Sequence, residues 1–281
     1  TELIIALTAL KAGEYMLVKA SIAGAIVTNT LFMLGMAFVL GGLKFHVQEY
    51  NKLNARVLSS MLFIATVALL MPSAIAKANP DTAMAIGQPL SLALAILLIV
   101  SYGLSLVFSL KTHSKEFASE DHGEDSETPW PMGLALGALG GVTVLVALVS
   151  EVFVESVQVA AEVFGMSPAF VGFIVVAMVG AAAEMVAAFS AARKDRLDLS
   201  VGIALGSASQ IALFVAPVLV IASYFSGPTP MDLQFWPGAV VMMLIATLTA
   251  TLVTNSGRSA WFVGVLLLMV SRRNVCFVGW I

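Results

Sequence analysis

Charge is what this chain has least of. Of its 281 residues only 11% are Asp, Glu, Lys or Arg, against 59% hydrophobic. A soluble fold of this length needs a charged surface, so lipid must solvate much of this one. Residues 199–225 carry no charge at all, and such a run is long enough to cross a hydrocarbon core about 30 Å thick. Cysteine is nearly absent, and the single Cys276 excludes an internal disulfide and any Cys-based zinc site. Histidine is confined to His46, His113 and His122, all between the apolar runs. No helix therefore offers a base to Ser207 or Ser209, which argues against an intramembrane hydrolase and against an enzyme generally. A formal charge of −3, with no basic stripe interleaved with aromatics, excludes nucleic acid as a partner. The chain reads as an all-α, polytopic membrane protein whose partner is the lipid bilayer.

The apolar runs predict a partial helix at 1–13 and helices near 16–42, 57–76, 85–110, 131–150, 166–193, 198–225, 235–254 and 259–281, which is eight whole helices and one fragment. Pro72 and Pro217 fall inside two of them and are expected to kink the chain. Alternate loops differ in basic charge. One side collects Lys44, Lys52, Arg56, Lys111, Lys115, Arg193, Lys194, Arg196 and Arg258; the other has Lys11, Lys19 and Lys77, with Arg272 and Arg273 near the end. The first side is thus cytoplasmic. The linker 111–130 lies there and holds Glu116, Glu120, Asp121, Glu124, Asp125 and Glu127, without the spacing of a calcium-binding helix–loop–helix.

Sliding the chain on itself by 182 residues lays "TELIIALTALKAG" over "AEMVAAFSAARKD". Glu2 falls on Glu184, Lys11 on Arg193, Gly24 on Gly206 and Leu31-Phe32 on Leu213-Phe214. Apolar bias alone does not align the only acid of each apolar stretch. The second copy belongs to a five-helix half, 131–281, and an odd number of helices makes two such halves enter the membrane in opposite senses. The first half, 1–110, is incomplete by the same comparison: roughly fifty residues are expected ahead of Thr1, and transport is expected only with them restored. At the other end, "SRRNVCFVGWI" marks either a membrane boundary or a truncation.

From Pro168 to Ala192 the only charge is Glu184, about 6 Å from the middle of the run. An acid at that depth costs about 2.5–3.5 kcal/mol to insert, which marks it as functional. Two facing carboxylates avoid isolated negative charge either by taking protons or by holding a divalent cation, and the two solutions exclude each other. A site of this kind suits a proton/cation exchanger. Further oxygen ligands are expected from the following helix of each half: Ser207 and Gln210 in "GSASQ", Thr28 and Asn29 in "GAIVTN". Glu151 and Glu155, near the outer end of the 131–150 helix, either guide ions or face headgroups.

These motifs resemble the calcium/proton exchangers of the calcium/cation antiporter superfamily, over about residues 1–270. "TELIIALTALKAG" is similar to the tail of that family's first repeat motif, and "VGAAAEMVAAFSAARKDRLDLSVGIALGSASQIALFVAPVLV" to the second. The resemblance implies eleven helices, one leading and two five-helix halves joined by an acidic cytoplasmic linker. It implies that Glu2 and Glu184 bind calcium and exchange it for protons, with Ser207 and Gln210 lining the path and no cofactor. The motif asparagine is Ala181 here, its histidine is Met185, and the usual serine after Gly24 is Ala25. Fewer ligands leave the ion less fixed than the exchange. The expected function is secondary active export of cytoplasmic calcium against protons. A sodium- or potassium-coupled exchanger, an exchanger for another divalent cation such as manganese, and a cation channel are the alternatives. The expected location is the inner membrane of a prokaryote or a vacuolar-type membrane of a eukaryote. Oligomeric state is not readable from the residues.

Overall fold

The computed structural model describes residues 1–113 and 131–278. It is built from α1 (Glu2–Lys11), α2 (Tyr15–Phe45), β1 (Val47–Glu49), α3 (Lys52–Ala78), α4 (Pro80–Val107), α5 (Met132–Phe164), α6 (Pro168–Gly180), α7 (Ala182–Arg193), α8 (Leu197–Ser226), α9 (Pro237–Val253), β2 (Arg258–Ala260) and α10 (Trp261–Val278). Six helices among the described residues are long and apolar enough to cross a membrane, and α6 with α7 makes a seventh span bent by 56°. Helices dominate because lipid offers peptide groups no hydrogen bonds, so each segment must satisfy its own. The chain is a multi-pass membrane protein. Helix starts follow local chemistry: the Asn51 side chain accepts from the Asn54 amide at 3.0 Å, and Ser167 from the Phe170 amide at 3.2 Å with Pro168 opening α6.

The core is organised around α2 and α8, which are mostly buried. α2 packs against α6, α7 and α10, and α8 against α3, α4 and α7. α5 packs chiefly on α1 and turns nearly all of its surface outward. The tightest crossing is that of α2 with α6. A Cβ on Gly24 would lie 2.0 Å from the Phe173 carbonyl oxygen, and one on Gly172 would lie 2.7 Å from the Leu17 carbonyl. Only glycine permits backbones to approach so closely. α2 and α8 each contain a wide π-helical turn, Thr28–Met33 and Ile211–Val215, nearly superposed by the 182-residue register. Such turns are frequent at functional sites. Pro217 lies just beyond the second one.

The structure corrects several expectations. The predicted single helix at 166–193 is broken at Ala181, whose backbone leaves the helical region at φ −87°, ψ 2°. The break directly follows Gly180, a poor helix former, and the Glu2 side chain lies beside it. The helix predicted at 131–150 runs on to Phe164, since nothing in "EVFVESVQVAAEVF" stops a helix. The fold is not wholly helical: β1 and β2 pair antiparallel, Gln48 opposite Ser259. The acidic residues of the linker, with Lys115 and His122, lie outside the described residues.

That ribbon is fastened to the α7–α8 turn on the side assigned to the cytoplasm. Buried Gln48 donates from Nε2 to the Ala192 carbonyl at 3.1 Å and to Asp195 Oδ1 at 2.7 Å, while Gly41 leaves room for its side chain. On the opposite side the segment 227–236 is tucked in: Ser91 and Ser73 accept from the Leu233 and Phe235 amides at 3.0 and 2.8 Å, and Lys19 pairs with Asp232.

Beside the ribbon, burial pushes the Tyr50 phenol above its ordinary value. A raised folded-state value means Tyr50 contributes stability below the unfolded value near 10, and that contribution disappears as pH rises through the folded one. The alkaline loss of thermal stability should therefore be shallower in Tyr50→Phe than in the parent when melting is followed above about pH 10.

Candidate functional site

The break at Ala181 sets the geometry. It begins a fresh helix, α7, and Glu184 lies in that helix's first turn. Glu2 lies in the first turn of α1 and presses its side chain on Gly180, where a Cβ would sit 3.1 Å from Glu2 Cγ. The two carboxylates, 182 positions apart, are close enough to interact electrostatically. A broken helix at membrane depth also directs backbone groups into the site that an unbroken helix would consume.

Asn29 and Ser207 link α2 to α8. Asn29 is fully buried at the π-helical turn of α2, and its Nδ2 donates to Ser207 Oγ on α8 at 3.0 Å. Glu2 Oε1, Glu184 Oε2 and Asn29 Oδ1 are each buried without a hydrogen-bond partner among the described residues. Buried polar atoms are ordinarily paired, and acceptor oxygens left so, two of them on acids, suit a cation or protons. Among the described residues no three His, Cys, Asp or Glu side chains cluster as a metal centre. Two acids with neutral oxygens make a sparse set, and few charged ligands mean weaker binding.

The remaining expected residues divide. Thr28 is buried beside Asn29 on the same turn. Gln210 is exposed and lines a separate crevice of about 500 Å³ with Asn54, Tyr102, Gly206 and Ser209, so the structure does not bring it to the carboxylates. Glu151 and Glu155 sit well inside α5 rather than at its end, and both face outward. Sequence reading missed Ser21, which shares a small pocket with Glu2; the only signal for it was one more hydroxyl among many in apolar helices.

The profile of the sodium/calcium exchanger protein family matches residues 1–111 and 134–270. This chain belongs to that family. The exchanger is 40% identical over 282 residues to a Ca(2+)/H(+) antiporter of Aphanothece halophytica, covering 95% of this chain and 75% of that protein. It is 39% identical over 270 residues to the Ca(2+)/H(+) antiporter ChaA of Bacillus subtilis (strain 168), covering 95% and 76%. In three dimensions it matches native YfkE with a TM-score of 0.83 at 36% identity, over 100% of this chain and 80% of that one. It shares the fold of the H+/Ca2+ exchanger CAX, with a TM-score of 0.69 at 13% identity over 99% and 73%.

Proposed function

We propose that the exchanger moves calcium out of the cytoplasm against protons by alternating access, with Glu2 and Glu184 as the shared site. The observation that carries this reading is the pair of interacting carboxylates with unpartnered buried oxygens, one from each copy of the repeat. The relatives named Ca(2+)/H(+) antiporter support the choice of ions. Two carboxylate charges are cancelled equally by one divalent cation or by two protons, so the site stays neutral in either form and each occupant expels the other. Asn29 and Ser207 supply neutral oxygens, and Thr28 supports their turn. Gln210 lines a separate crevice, outside this set. Glu151 and Glu155 take no part.

The reading extends to architecture: two inverted halves whose helices cross the membrane in opposite senses. The repeated π-helical turns support it, and so do Gly24 and Gly206. Gly24 is the contact point for Phe173, whereas its register mate Gly206 faces the 500 Å³ crevice with nothing within 4 Å of a Cβ among the described residues. By the repeat, this crevice is where a first-half counterpart of α6 would pack.

The test is calcium uptake into inside-out vesicles or proteoliposomes of the natural full-length protein under an imposed pH gradient, with sodium and potassium absent. Uptake with proton efflux is expected, and the apparent KM for calcium should rise as the pH on the calcium side falls. Uptake that requires sodium or potassium would transfer the coupling to those ions, a preference for manganese would change the cargo, and single-channel currents would overturn the mechanism.

A further inference from the structure

A small pocket opens beside Glu2, with about 20 Å³ of open space, room for about one water-sized sphere. Of its ten lining side chains, only Glu2 and Ser21 carry oxygen; the others, including Ala25 and Ile211, are hydrocarbon. With the Lys- and Arg-rich loops taken as cytoplasmic, the pocket falls on the outward side of the carboxylates. Its α2 residues Ser21, Ile22 and Ala25 follow within three turns of the helix start at Tyr15, beside the outer loops that hold Lys11 and Lys19.

The Ser21 proton is already committed. Its Oγ donates to the Val18 carbonyl at 2.8 Å, leaving only lone pairs for the pocket. A hydroxyl so fixed accepts from water or coordinates a cation, and it has nothing to give an anion. The buried, unpartnered Glu2 Oε1 is the second acceptor in the same neighbourhood. Across the 182-residue register Ser21 falls on Ile203, so the other half has no equivalent oxygen.

We infer that Ser21 is an oxygen ligand for the cation on the outward side of Glu2, one that sets affinity for calcium arriving from or leaving to the outside. It rests on the assignment of Glu2 to the transport site. Because its register mate is an isoleucine, the two access states differ in ligand set, and the effect of losing Ser21 is confined to one face of the membrane.

Sided kinetics test this in the natural full-length protein, comparing right-side-out with inside-out vesicles. Ser21→Ala should raise the apparent KM for calcium on the outer face about 5- to 10-fold, the scale of one lost polar contact, with the maximal rate and the inner-face KM unchanged. Ser21→Thr should restore the parent value. Ser21→Cys should make exchange more sensitive to cadmium from the outer face alone, because a thiol is a softer ligand. A change of KM on both faces, a fall in maximal rate alone, or a cysteine variant with unaltered cadmium sensitivity would overturn the proposal. A parallel Glu2→Gln variant separates the two readings: if it transports normally the site itself is wrong, and if it is dead while Ser21→Ala behaves as the parent on both faces, only the role of Ser21 fails.

Discussion

Glu184→Gln is expected to remove calcium/proton exchange almost completely, by at least about 100-fold, since losing one member of a buried charged site costs roughly 3–5 kcal/mol. Gln keeps the shape of a protonated Glu but neither releases a proton nor offers a negative oxygen. The variant is thus locked in the proton-loaded form, folded and unable to take calcium. Glu2→Gln should fail to the same degree, because both acids are needed to cancel a divalent charge at a level of the membrane where water does not help. Both variants should melt within a few degrees of the parent, as no hydrogen bond to Glu184 Oε2 or Glu2 Oε1 is lost. Initial rates in proteoliposomes, read beside a melting curve in detergent, decide the matter. Either variant exchanging at the parent rate would remove the carboxylate pair from the mechanism. A Glu184→Asp variant, charged but one methylene shorter, should retain partial exchange with a raised KM for calcium.

The acids were legible in the sequence because the signal was one of cost: a lone carboxylate in a long apolar run needs a reason, and the 182-residue register supplied a second with the same need. The break at Ala181 was not legible. "VGAAAE" contains one glycine and no proline, a weak signal that apolar helices often tolerate, and the Glu2 side chain that lies against Gly180 comes from a distant part of the chain. Gln210 shows what spacing alone leaves open. It lies three positions on from Ser207, only about 60° round the helix from it, yet Ser207 meets Asn29 while Gln210 lines the crevice with Asn54 and Tyr102, a difference set by the neighbouring helices and not by spacing. The β1–β2 ribbon was hidden by its three-residue strands, too short for an alternating pattern to register.

The second large effect concerns the glycines on which the inverted-repeat proposal leans. Gly24→Ala places a Cβ 2.0 Å from the Phe173 carbonyl oxygen, a backbone atom that can move only if α2 and α6 separate. Overpacking at such a crossing costs about 1–3 kcal/mol or more, and it should appear as a clear drop in melting temperature with loss of exchange, since Asn29 lies little more than one turn away. Gly206→Ala in the 281-residue chain meets nothing within 4 Å among the described residues and should be neutral, or stabilising by about 0.5–1 kcal/mol through helix propensity. In a longer natural protein carrying the first-half counterpart of α6, the same substitution falls on a filled crossing and should be as damaging as Gly24→Ala. Melting curves of the two alanine variants in both lengths of chain test the symmetry directly. If Gly206→Ala stays neutral in the longer protein, the 500 Å³ crevice is not the seat of a repeated helix. The two halves would then share their carboxylates and their π-helical turns without sharing the crossing that brings α6 to α2.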